Sequence, residues 1–415
     1  MNCLYSQQKT RSLLTRGLIV LLLAIAGCKT TATTSTNTTY TKADSLIPIP
    51  WSEAPEALKQ EHSLNDWADA IEASIGYYAR KKPTAEVNFG TYKVSAIDMT
   101  RSLRKLANLA RSDDNKALQV FLQENFKLFR SVGSNNQGNV LVTAYYEPLL
   151  QGSLQRSKRY KYPLYKRPKD IFDISLSPWL PEMKKKITAR FDGKKLTPYY
   201  DREEIDIEKN LDKKNLELVW VDDLVDVFFL QIQGSGRVQL EEGGVIRVGY
   251  NGANGHPYRS IGKILIEEGA ISREDMSLPA IRNWLDKNPS QQSRLLNANP
   301  SYVFFRKLKG GPYGNISVAL TPERSIATDY RIFPKGAPGV LVTTIPNFSK
   351  NSSTEVTWQN NTRFIVNQDT GGAIRGPGRV DLFLGFGEIA EKTAGIMKQS
   401  GSALYFIAPT ETANN

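Results

Sequence analysis

Cysteine is nearly absent from this sequence, and its scarcity excludes several kinds of site. Only Cys3 and Cys28 occur among 415 residues, and both lie within the first 28. The rest of the chain therefore has no thiol for a disulfide or a cysteine nucleophile. A chain of this length can bury enough apolar surface to fold without disulfides.

Histidine is equally scarce, with only His62 and His256, and no cluster has metal-ligand spacing. We therefore expect no metal centre and no cofactor. The sequence has no Gly-x-Ser-x-Gly motif for a serine nucleophile and no Walker loop. Gly234-Ser-Gly236 follows a strand-like run but opens no glycine-rich helix start, so a phosphate site is weakly supported. Carboxylates remain as the candidate catalytic groups.

No apolar run is long enough to span a bilayer. The longest, residues 17–26, has ten residues and leads into Leu23-Ala-Ile-Ala-Gly-Cys28. Three basic residues precede it: Lys9, Arg11 and Arg16. This pattern resembles the bacterial lipoprotein signal, in which the cysteine is lipidated and becomes the new N-terminus. We predict a signal peptide over residues 1–27 and a lipid on Cys28, with an ordinary secretory signal as the alternative.

The segment after the signal is poor in large apolar residues. Residues 28–45 are rich in Thr, Ser and Asn, which predicts a lipidated N-terminus followed by a flexible tether. Lys29, rather than aspartate, follows the cysteine. By the usual enterobacterial sorting rule, we expect a lipid-anchored protein on the periplasmic face of the outer membrane.

The net charge indicates an anionic partner. It is +12 for the whole chain and +9 once residues 1–27 are removed. Nucleic acid is a common partner of basic proteins, but an exported lipoprotein does not meet it routinely, so we expect none. Bacterial cell wall fits better, because Lys and Arg along a cleft would steer a glycan whose stem peptides carry carboxylates. A diffuse charge that only keeps the protein soluble is the alternative.

The globular part begins near residue 45 and, at roughly 370 residues, predicts more than one domain. Helices are predicted from residue 63, twice within 98–129, and three times between 260 and 296, one of them starting at Ser272. Strands are predicted at 140–146, 227–233, 237–240, 302–305, 316–320, 340–344, 364–366, 380–386 and 404–407. A β-rich middle flanked by helices predicts an inserted β domain, 141–248, within a discontinuous main domain, 46–140 plus 249–415.

Two acids stand out near the C-terminus. Asp369 and Asp381 lie twelve residues apart, separated by a glycine-rich stretch. The alternation of residues 380–386 predicts one buried face: Val380, Leu382, Leu384 and Phe386. The opposite face presents the Asp381 carboxyl beside an aromatic ring and a glycine, which suits a sugar. Alternatively, Asp369 caps a turn and Asp381 faces water.

Carboxylate chemistry of this kind indicates glycoside cleavage. An acid in an apolar, partly dry cleft has a raised pKa and can protonate a leaving oxygen near neutral pH.

Further motifs identify the family. Between about residues 140 and 387 the sequence resembles the membrane-bound lytic murein transglycosylase A family, whose C-terminal domain carries three aspartates. The motifs are Thr143-Ala-Tyr-Tyr-Glu-Pro148, Pro198-Tyr-Tyr-Asp-Arg-Glu-Glu-Ile205, Phe229-Leu-Gln-Ile-Gln-Gly-Ser-Gly-Arg-Val238, Arg247-Val-Gly-Tyr-Asn-Gly-Ala-Asn-Gly-His-Pro-Tyr-Arg-Ser-Ile-Gly262, Asn299-Pro-Ser-Tyr-Val-Phe-Phe-Arg306 and Leu320-Thr-Pro-Glu-Arg-Ser-Ile-Ala-Thr-Asp329. Asp329, Asp369 and Asp381 match the three acids, within a region of about 317–388. Asp201 stands where Thr is common.

The resemblance implies a mainly β, α+β fold: a double-psi β-barrel with flanking helices, a smaller inserted β domain, and a groove between them for glycan. It also implies a peptidoglycan lytic exotransglycosylase. Such an enzyme cleaves the β-1,4 bond between N-acetylmuramic acid and N-acetylglucosamine and leaves a 1,6-anhydromuramoyl end. Complexes with cell-wall synthases are a further expectation.

The reaction needs one carboxyl rather than two, because the sugar's own 6-hydroxyl replaces water as the attacking group. We expect Asp381 to act as general acid and then base, Asp369 to orient it or tune its charge, and Asp329 to support them. Seven residues are candidates for the substrate-binding wall: Thr143, Tyr145, Gln231, Gln233, Ser235, Tyr250 and Tyr258. The alternatives are a hydrolase on the same barrel and a wall-binding lipoprotein without activity.

Overall fold

The structure is a computed structural model that describes residues 40–55, 64–112, 114–183, 186–348 and 356–410. All of them belong to one compact unit, Tyr40–Asn415. The predicted signal peptide, Cys28 and most of the tether lie outside the described residues. Within the described ranges, no helix is long and apolar enough to cross a membrane.

The elements follow in chain order. The helices are α1 (Asn65–Ala79), α2 (Ala96–Arg111), α3 (Asn115–Asn125), α4 (Arg202–Asp206), α5 (Leu224–Gln233), α6 (Ile261–Glu267), α7 (Leu278–Lys287), α8 (Pro289–Asn297) and α9 (Glu388–Ile396). The strands are β1 (Leu46–Ile49), β2 (Glu86–Phe89), β3 (Tyr92–Ser95), β4 (Phe126–Ser131), β5 (Val140–Glu147), β6 (Leu149–Ser153), β7 (Tyr162–Tyr165), β8 (Phe172–Ser175), β9 (Lys186–Phe191), β10 (Leu196–Pro198), β11 (Glu217–Val221), β12 (Ser235–Leu240), β13 (Val245–Ala253), β14 (Val303–Leu308), β15 (Ser325–Ala327), β16 (Pro338–Phe348), β17 (Val356–Asp369), β18 (Arg379–Phe386) and β19 (Lys398–Pro409).

Six strands close into a barrel in the order β19-β16-β17-β15-β18-β5, and β5 pairs back with β19. This closed barrel within a mixed α+β fold confirms the predicted fold class. Five of the six strands were predicted, and only the three-residue β15 was not. β4 and β1 continue the sheet outward from β19.

The barrel encloses apolar side chains and is covered by helices. Val380 and Leu382 of β18 lie in the same buried cluster as Val142 of β5. The Trp67 ring of α1 stacks on Phe364 of β17, with ring centroids 4.2 Å apart. Because aromatic side chains bury large apolar areas, this pair dominates the energetics of the contact between α1 and β17.

A second sheet of six strands, ordered β14-β13-β12-β6-β11-β7, has its own buried core. The boundary predicted at residue 248 falls inside β13, and β14 extends this sheet to Leu308. Helices α5 to α8 share a separate apolar cluster. A small sheet, β10-β9-β8, lies in the same part of the chain. We call the two sheets and helices α5 to α8 the second half of the molecule, and the barrel with its covering helices the first half.

Residues 227–233 were predicted as a strand, and this is wrong, because they form helix α5. Asp223 caps the helix by accepting a hydrogen bond from the Val225 N–H at 2.8 Å. Gly234 ends it with a left-handed φ of +81°. A helix that is buried on most sides is apolar all round, so its periodicity does not distinguish it from a buried strand.

Other predicted elements are also wrong. Residues 316–320 form a turn rather than a strand, with Ser317 at a φ of 58° and the Gly314 N–H bonded to Val318 O. Residues 126–129 belong to strand β4 rather than to a helix. Helix α7 begins at Leu278, capped by Ser277, and not near Ser272.

Val380 and Leu382 of β18 are buried, as predicted. Phe386 was also predicted to be buried, and this is wrong, because it is 58% exposed. The register against β5 shifts between Phe383 and Phe386. Gly385, with a φ of +84°, lies inside this irregularity and turns the strand end outward.

Candidate active site

Two of the predicted acids lie in one row across the barrel. Ala327 of β15 pairs with Asp369 of β17 on one side and with Asp381 of β18 on the other. Asp381 in turn pairs with Thr143 of β5. Since directly paired residues point to the same face of a sheet, Asp381 and Thr143 share the outer face of the barrel. The register of β15 against β17 shifts just before Ala327, and Asp369 reaches the same face, where the Tyr145 hydroxyl bonds it.

Asp381 is held by its strand neighbour. The Thr143 hydroxyl donates to Asp381 Oδ1 at 2.7 Å. Burial raises the pKa of Asp381 to about 6, although the Thr143 hydrogen bond and Arg379 act against the rise and the charge of Asp369 adds to it. Among the described residues, Thr143 is the only side chain that hydrogen-bonds this carboxyl, which leaves Oδ2 available for substrate. Asp381 can therefore be a proton donor near neutral pH.

Asp369 is more firmly anchored. The Tyr145 hydroxyl donates to its Oδ2 at 2.8 Å, and the Asn315 N–H donates to its Oδ1 at 3.0 Å. Burial raises the pKa of Asp369, and these donors oppose the rise. Because both of its oxygens accept hydrogen bonds, Asp369 is less free than Asp381 to transfer a proton, and its charge acts on Asp381 through space.

Lys335 is a site residue that sequence reasoning missed. Its ammonium donates to the Asp369 carbonyl oxygen and, at 3.0 Å, to Asn367 Oδ1. Burial lowers the pKa of Lys335 to about 7, against the attraction of Asp369 and Asp329. The lysine thus fixes the end of β17 that carries Asp369. In the sequence, Pro-Lys-Gly is typical of an exposed turn, and no signal distinguished this lysine.

Asp329 is fully buried and paired. The Arg331 guanidinium donates to both of its oxygens, at 2.8 and 2.6 Å, and the Gly376 N–H donates to Oδ2 at 2.9 Å. Burial alone would raise the pKa of Asp329, but these donors outweigh it and lower the pKa to about 2. These hydrogen bonds tie an ionised carboxylate to the glycine-rich segment.

The predicted substrate-binding residues fall into different places. Thr143 and Tyr145 touch the acids as described. Gln233, at the end of α5, accepts from the Tyr146 N–H at 3.3 Å, so it reaches β5 from the other half of the molecule. Ser235 begins β12 and is partly exposed.

Among the described residues, none of the other three hydrogen-bonds either acid. Gln231 is buried, where its side-chain oxygen accepts from Arg202 at 2.5 Å. Tyr250 and Tyr258 are 56% and 52% exposed. The structure therefore brings Thr143, Tyr145 and the two acids into contact, and it does not place these three residues with them.

An ion pair that sequence reasoning missed joins the two halves of the molecule near this site. Arg237 of β12 donates to the fully buried Glu147 of β5 at 2.7 Å. The Arg237 guanidinium also lies 3.4 Å from the ring centroid of Phe386. Both charged residues are within the quoted motifs, but nothing in the sequence pairs them. Among the described residues, no group of three His, Cys, Asp or Glu side chains is arranged to hold a metal ion.

Family profiles cover this region. Residues 141–306 match the MltA specific insert domain, and residues 324–407 match the 3D domain. The chain is similar to the membrane-bound lytic murein transglycosylase A of Vibrio cholerae, with 34% identity over 65% of this chain and 66% of that protein. It is similar to the membrane-bound lytic murein transglycosylase A homolog of Buchnera aphidicola, with 31% identity over 67% of this chain and 69% of that protein. The matched stretch is thus just under two thirds of the Vibrio protein.

Solved structures show the same architecture. A membrane-bound lytic murein transglycosylase from Agrobacterium tumefaciens superimposes with a TM-score of 0.74 at 26% identity, covering 89% of this chain and 99% of that one. The E. coli MltA with bound chitohexaose superimposes with a TM-score of 0.65 at 26% identity, covering 89% of this chain and 96% of that one. The chain therefore belongs to the membrane-bound lytic murein transglycosylase A family.

Proposed function

We propose that this protein is a lytic transglycosylase that cleaves the β-1,4 bond between N-acetylmuramic acid and N-acetylglucosamine in peptidoglycan. Its curated relatives carry the name lytic murein transglycosylase, and one structural neighbour was solved with chitohexaose, a β-1,4-linked amino-sugar oligomer. The observation that carries the proposal is the Asp381 carboxyl. It lies on the outer face of the barrel, bonded by Thr143 alone among the described residues, and its pKa is raised to about 6.

Asp381 would act twice in one turnover. Its proton passes to the glycosidic oxygen as the bond from that oxygen to the muramic acid C1 breaks. The 6-hydroxyl oxygen of the same muramic acid then bonds to C1, and its proton returns to Asp381. The products are a new 4-hydroxyl on N-acetylglucosamine and a 1,6-anhydro ring, with no water consumed. General acid assistance of this kind contributes about 10²–10⁴-fold.

The neighbours of Asp381 have supporting roles in this scheme. Asp369 is fixed by Tyr145 and Asn315, and its charge, when ionised, raises the pKa of Asp381 and so favours the protonated form of Asp381. The glycan would cross the outer face of the barrel at Thr143 and Tyr145, with Gln233 and Ser235 on the opposing side. Tyr250 and Tyr258, which are exposed, would meet sugars farther along the glycan. We also propose that residues 46–140 plus 249–415 form a discontinuous main domain and that residues 141–248 form a domain inserted into it.

The reaction is tested by digesting purified sacculi with the protein and weighing the products by mass spectrometry. We expect muropeptides with anhydromuramoyl ends. Products heavier by one water would show a hydrolase on the same barrel, and binding to sacculi without release would show a wall-binding lipoprotein. Either of these outcomes would overturn the proposal.

We also propose that Cys28 carries the lipid and anchors the protein to the periplasmic face of the outer membrane, where cell-wall synthases are potential partners. The relatives' names support membrane association. Replacing Cys28 with serine is expected to move the protein from the membrane fraction to the soluble periplasm, because the acyl chains supply the anchoring free energy. Fractionation checks this, with Cys3→Ser as the matched control. Membrane retention of Cys28→Ser that equals that of the wild type after a high-salt wash, which weakens electrostatic attachment, would contradict the lipid anchor.

A further inference from the structure

The small sheet β8-β9-β10 separates its side chains sharply by polarity. Its register pairs Ile174 with Ile187, Phe172 with Ala189 and Leu196 with Phe191. Because paired residues and alternate residues of a strand share a face, one face is entirely apolar. The opposite face carries polar residues, including the paired Asp173 and Thr188 and, two residues on, Arg190.

The polar face is the one that packs against the rest of the protein. The Arg190 guanidinium lies 4.2 Å from the ring centroid of Tyr200. Asp173 accepts from Arg167 at 2.7 Å. Thr188 lies against the backbone of Gly255, where an added Cβ would be 2.4 Å from the Thr188 Cβ. The sheet is therefore inverted relative to the usual arrangement, in which the apolar face covers the core.

The apolar face is consequently exposed at Phe172, Ile187, Phe191 and Leu196, although Ala189 is buried, and the segment between β8 and β9 carries further exposed apolar residues. We call the following seven exposed residues the apolar platform: Phe172 47%, Trp179 73%, Leu180 44%, Met183 47%, Ile187 42%, Phe191 57% and Leu196 53%. Scattered exposed apolar residues are ordinary, but four of these seven, Phe172, Ile187, Phe191 and Leu196, share one face of a small sheet by its register, and such a concentrated set marks an interaction surface.

Basic residues border the platform. Lys194 and Lys195 are exposed in the turn between β9 and β10, which joins the platform residues Phe191 and Leu196. Two exposed acids stand nearby, Glu182 and Asp192. Asp192 accepts from the N–H groups of Lys194 and Lys195, at 3.0 and 2.9 Å, so its carboxylate closes the turn. Aromatic and aliphatic side chains edged by lysines complement a bilayer surface with anionic headgroups.

We propose that the apolar platform docks on the anionic phospholipid surface of a membrane. Sugars are less well matched, because a glycan site needs polar groups that hydrogen-bond its hydroxyls, and the platform is composed of Phe, Ile, Leu, Met and Trp. The inference rests on the membrane association of this family and is independent of the catalytic proposal. With a lipid at the N-terminus, this second attachment would set the orientation of the active site relative to the membrane.

The test is co-sedimentation of the compact unit, residues 40–415, with lipid vesicles; this unit has its own cores and lacks the lipidation site. We expect binding to vesicles of phosphatidylethanolamine and phosphatidylglycerol, and much weaker binding to vesicles of phosphatidylcholine alone. The triple variant Trp179→Ser, Phe191→Ser, Leu196→Ser should lower the partition coefficient at least about tenfold. The double variant Lys194→Glu, Lys195→Glu should lower it about tenfold or more at low salt and less at high salt.

Matched controls are Val120→Ser of α3 and Ile389→Ser of α9, which are 46% and 64% exposed and lie outside the platform. They should leave vesicle binding unchanged. Each variant is also assayed for release of muropeptides from sacculi, so loss of vesicle binding with activity retained separates this proposal from the catalytic one. Absence of vesicle binding, or binding that the triple variant does not weaken, would overturn the proposal. The proposal would also be overturned if the triple variant kept its vesicle binding and instead dissociated a dimer, because the platform would then bind a second copy of this chain. Loss of affinity for glycan alone would likewise assign the platform to sugar.

Discussion

Replacing Asp381 with asparagine is expected to lower the rate of anhydromuropeptide release by about 10²–10⁴-fold. Asparagine keeps the shape of the side chain and can still accept the Thr143 hydrogen bond, but it has no proton to give to the glycosidic oxygen. The measurement is the initial rate on sacculi or soluble glycan strands. Asp173→Asn is the matched control, because Asp173 likewise accepts from a threonine on the paired strand, Thr188 at 2.9 Å, away from the barrel. It should retain activity.

The pH dependence of the wild type tests the same assignment. A step that needs protonated Asp381, with a pKa of about 6, proceeds fastest below that pH and slows about tenfold per unit above it. The logarithm of kcat/KM should therefore fall with a slope of about −1 above pH 6. A profile that stays level between pH 5 and 8 would move the proton donor to another residue.

Asp381→Asn should also stabilise the fold at alkaline pH. The folded-state pKa of about 6 lies above the usual value, so the stability due to protonated Asp381 is full at low pH and is lost as the pH rises through 6. Asparagine cannot ionise, and the variant should exceed the wild type in free energy of unfolding by about 1–3 kcal/mol at pH 8. Urea titrations at pH 4 and pH 8 measure this difference. An inactive variant that is less stable at pH 8 would indicate damage to the fold instead.

Much of the barrel and its two acids could be predicted because the signals are local. Val380 and Leu382 alternate with Asp381, so one strand gives both the buried face and the carboxyl. Helix α5 could not be read correctly, since Val227 and Phe228 and their neighbours are buried on both sides and give no period. The three residues of β15 are too few for any pattern.

Contacts between distant segments were beyond sequence reasoning. Lys335 reaches Asp369 across 34 residues, and Arg237 reaches Glu147 across 90. A charged residue in a turn or at a strand end is normally exposed to solvent. Its burial depends on which distant segments pack against it in the folded chain, and the sequence does not show this. The inverted sheet β8-β9-β10 illustrates the same limit, because alternation identifies its two faces without stating which one meets the protein.

Asp329→Asn should have the opposite effect to Asp381→Asn: a large loss of stability. The Asp329 carboxylate is buried and accepts from Arg331 and from the Gly376 N–H, so a neutral amide would lose charge-assisted hydrogen bonds and place an NH₂ group against donors. Asp329 is buried whereas the Arg331 side chain is 55% exposed, so the loss comes mainly from the buried acceptor and should be about 1–3 kcal/mol. Urea unfolding at pH 7 measures the loss. Asp192→Asn is the control, since Asp192 also accepts backbone N–H groups but is exposed, and little change is expected there.

The pH dependence of this loss has a definite sign. The pKa of Asp329 is lowered to about 2, below its value in the unfolded chain, so its stabilisation is complete above about pH 4 and is lost as the pH falls toward 2. The difference between wild type and Asp329→Asn should therefore shrink on acidification, whereas that for Asp381→Asn should grow on raising the pH. At a temperature where the variant is still folded, it should release anhydromuropeptides at close to the wild-type rate, because Asp329 supports the loop and transfers no proton. A stable but inactive Asp329→Asn would instead place this acid in the reaction.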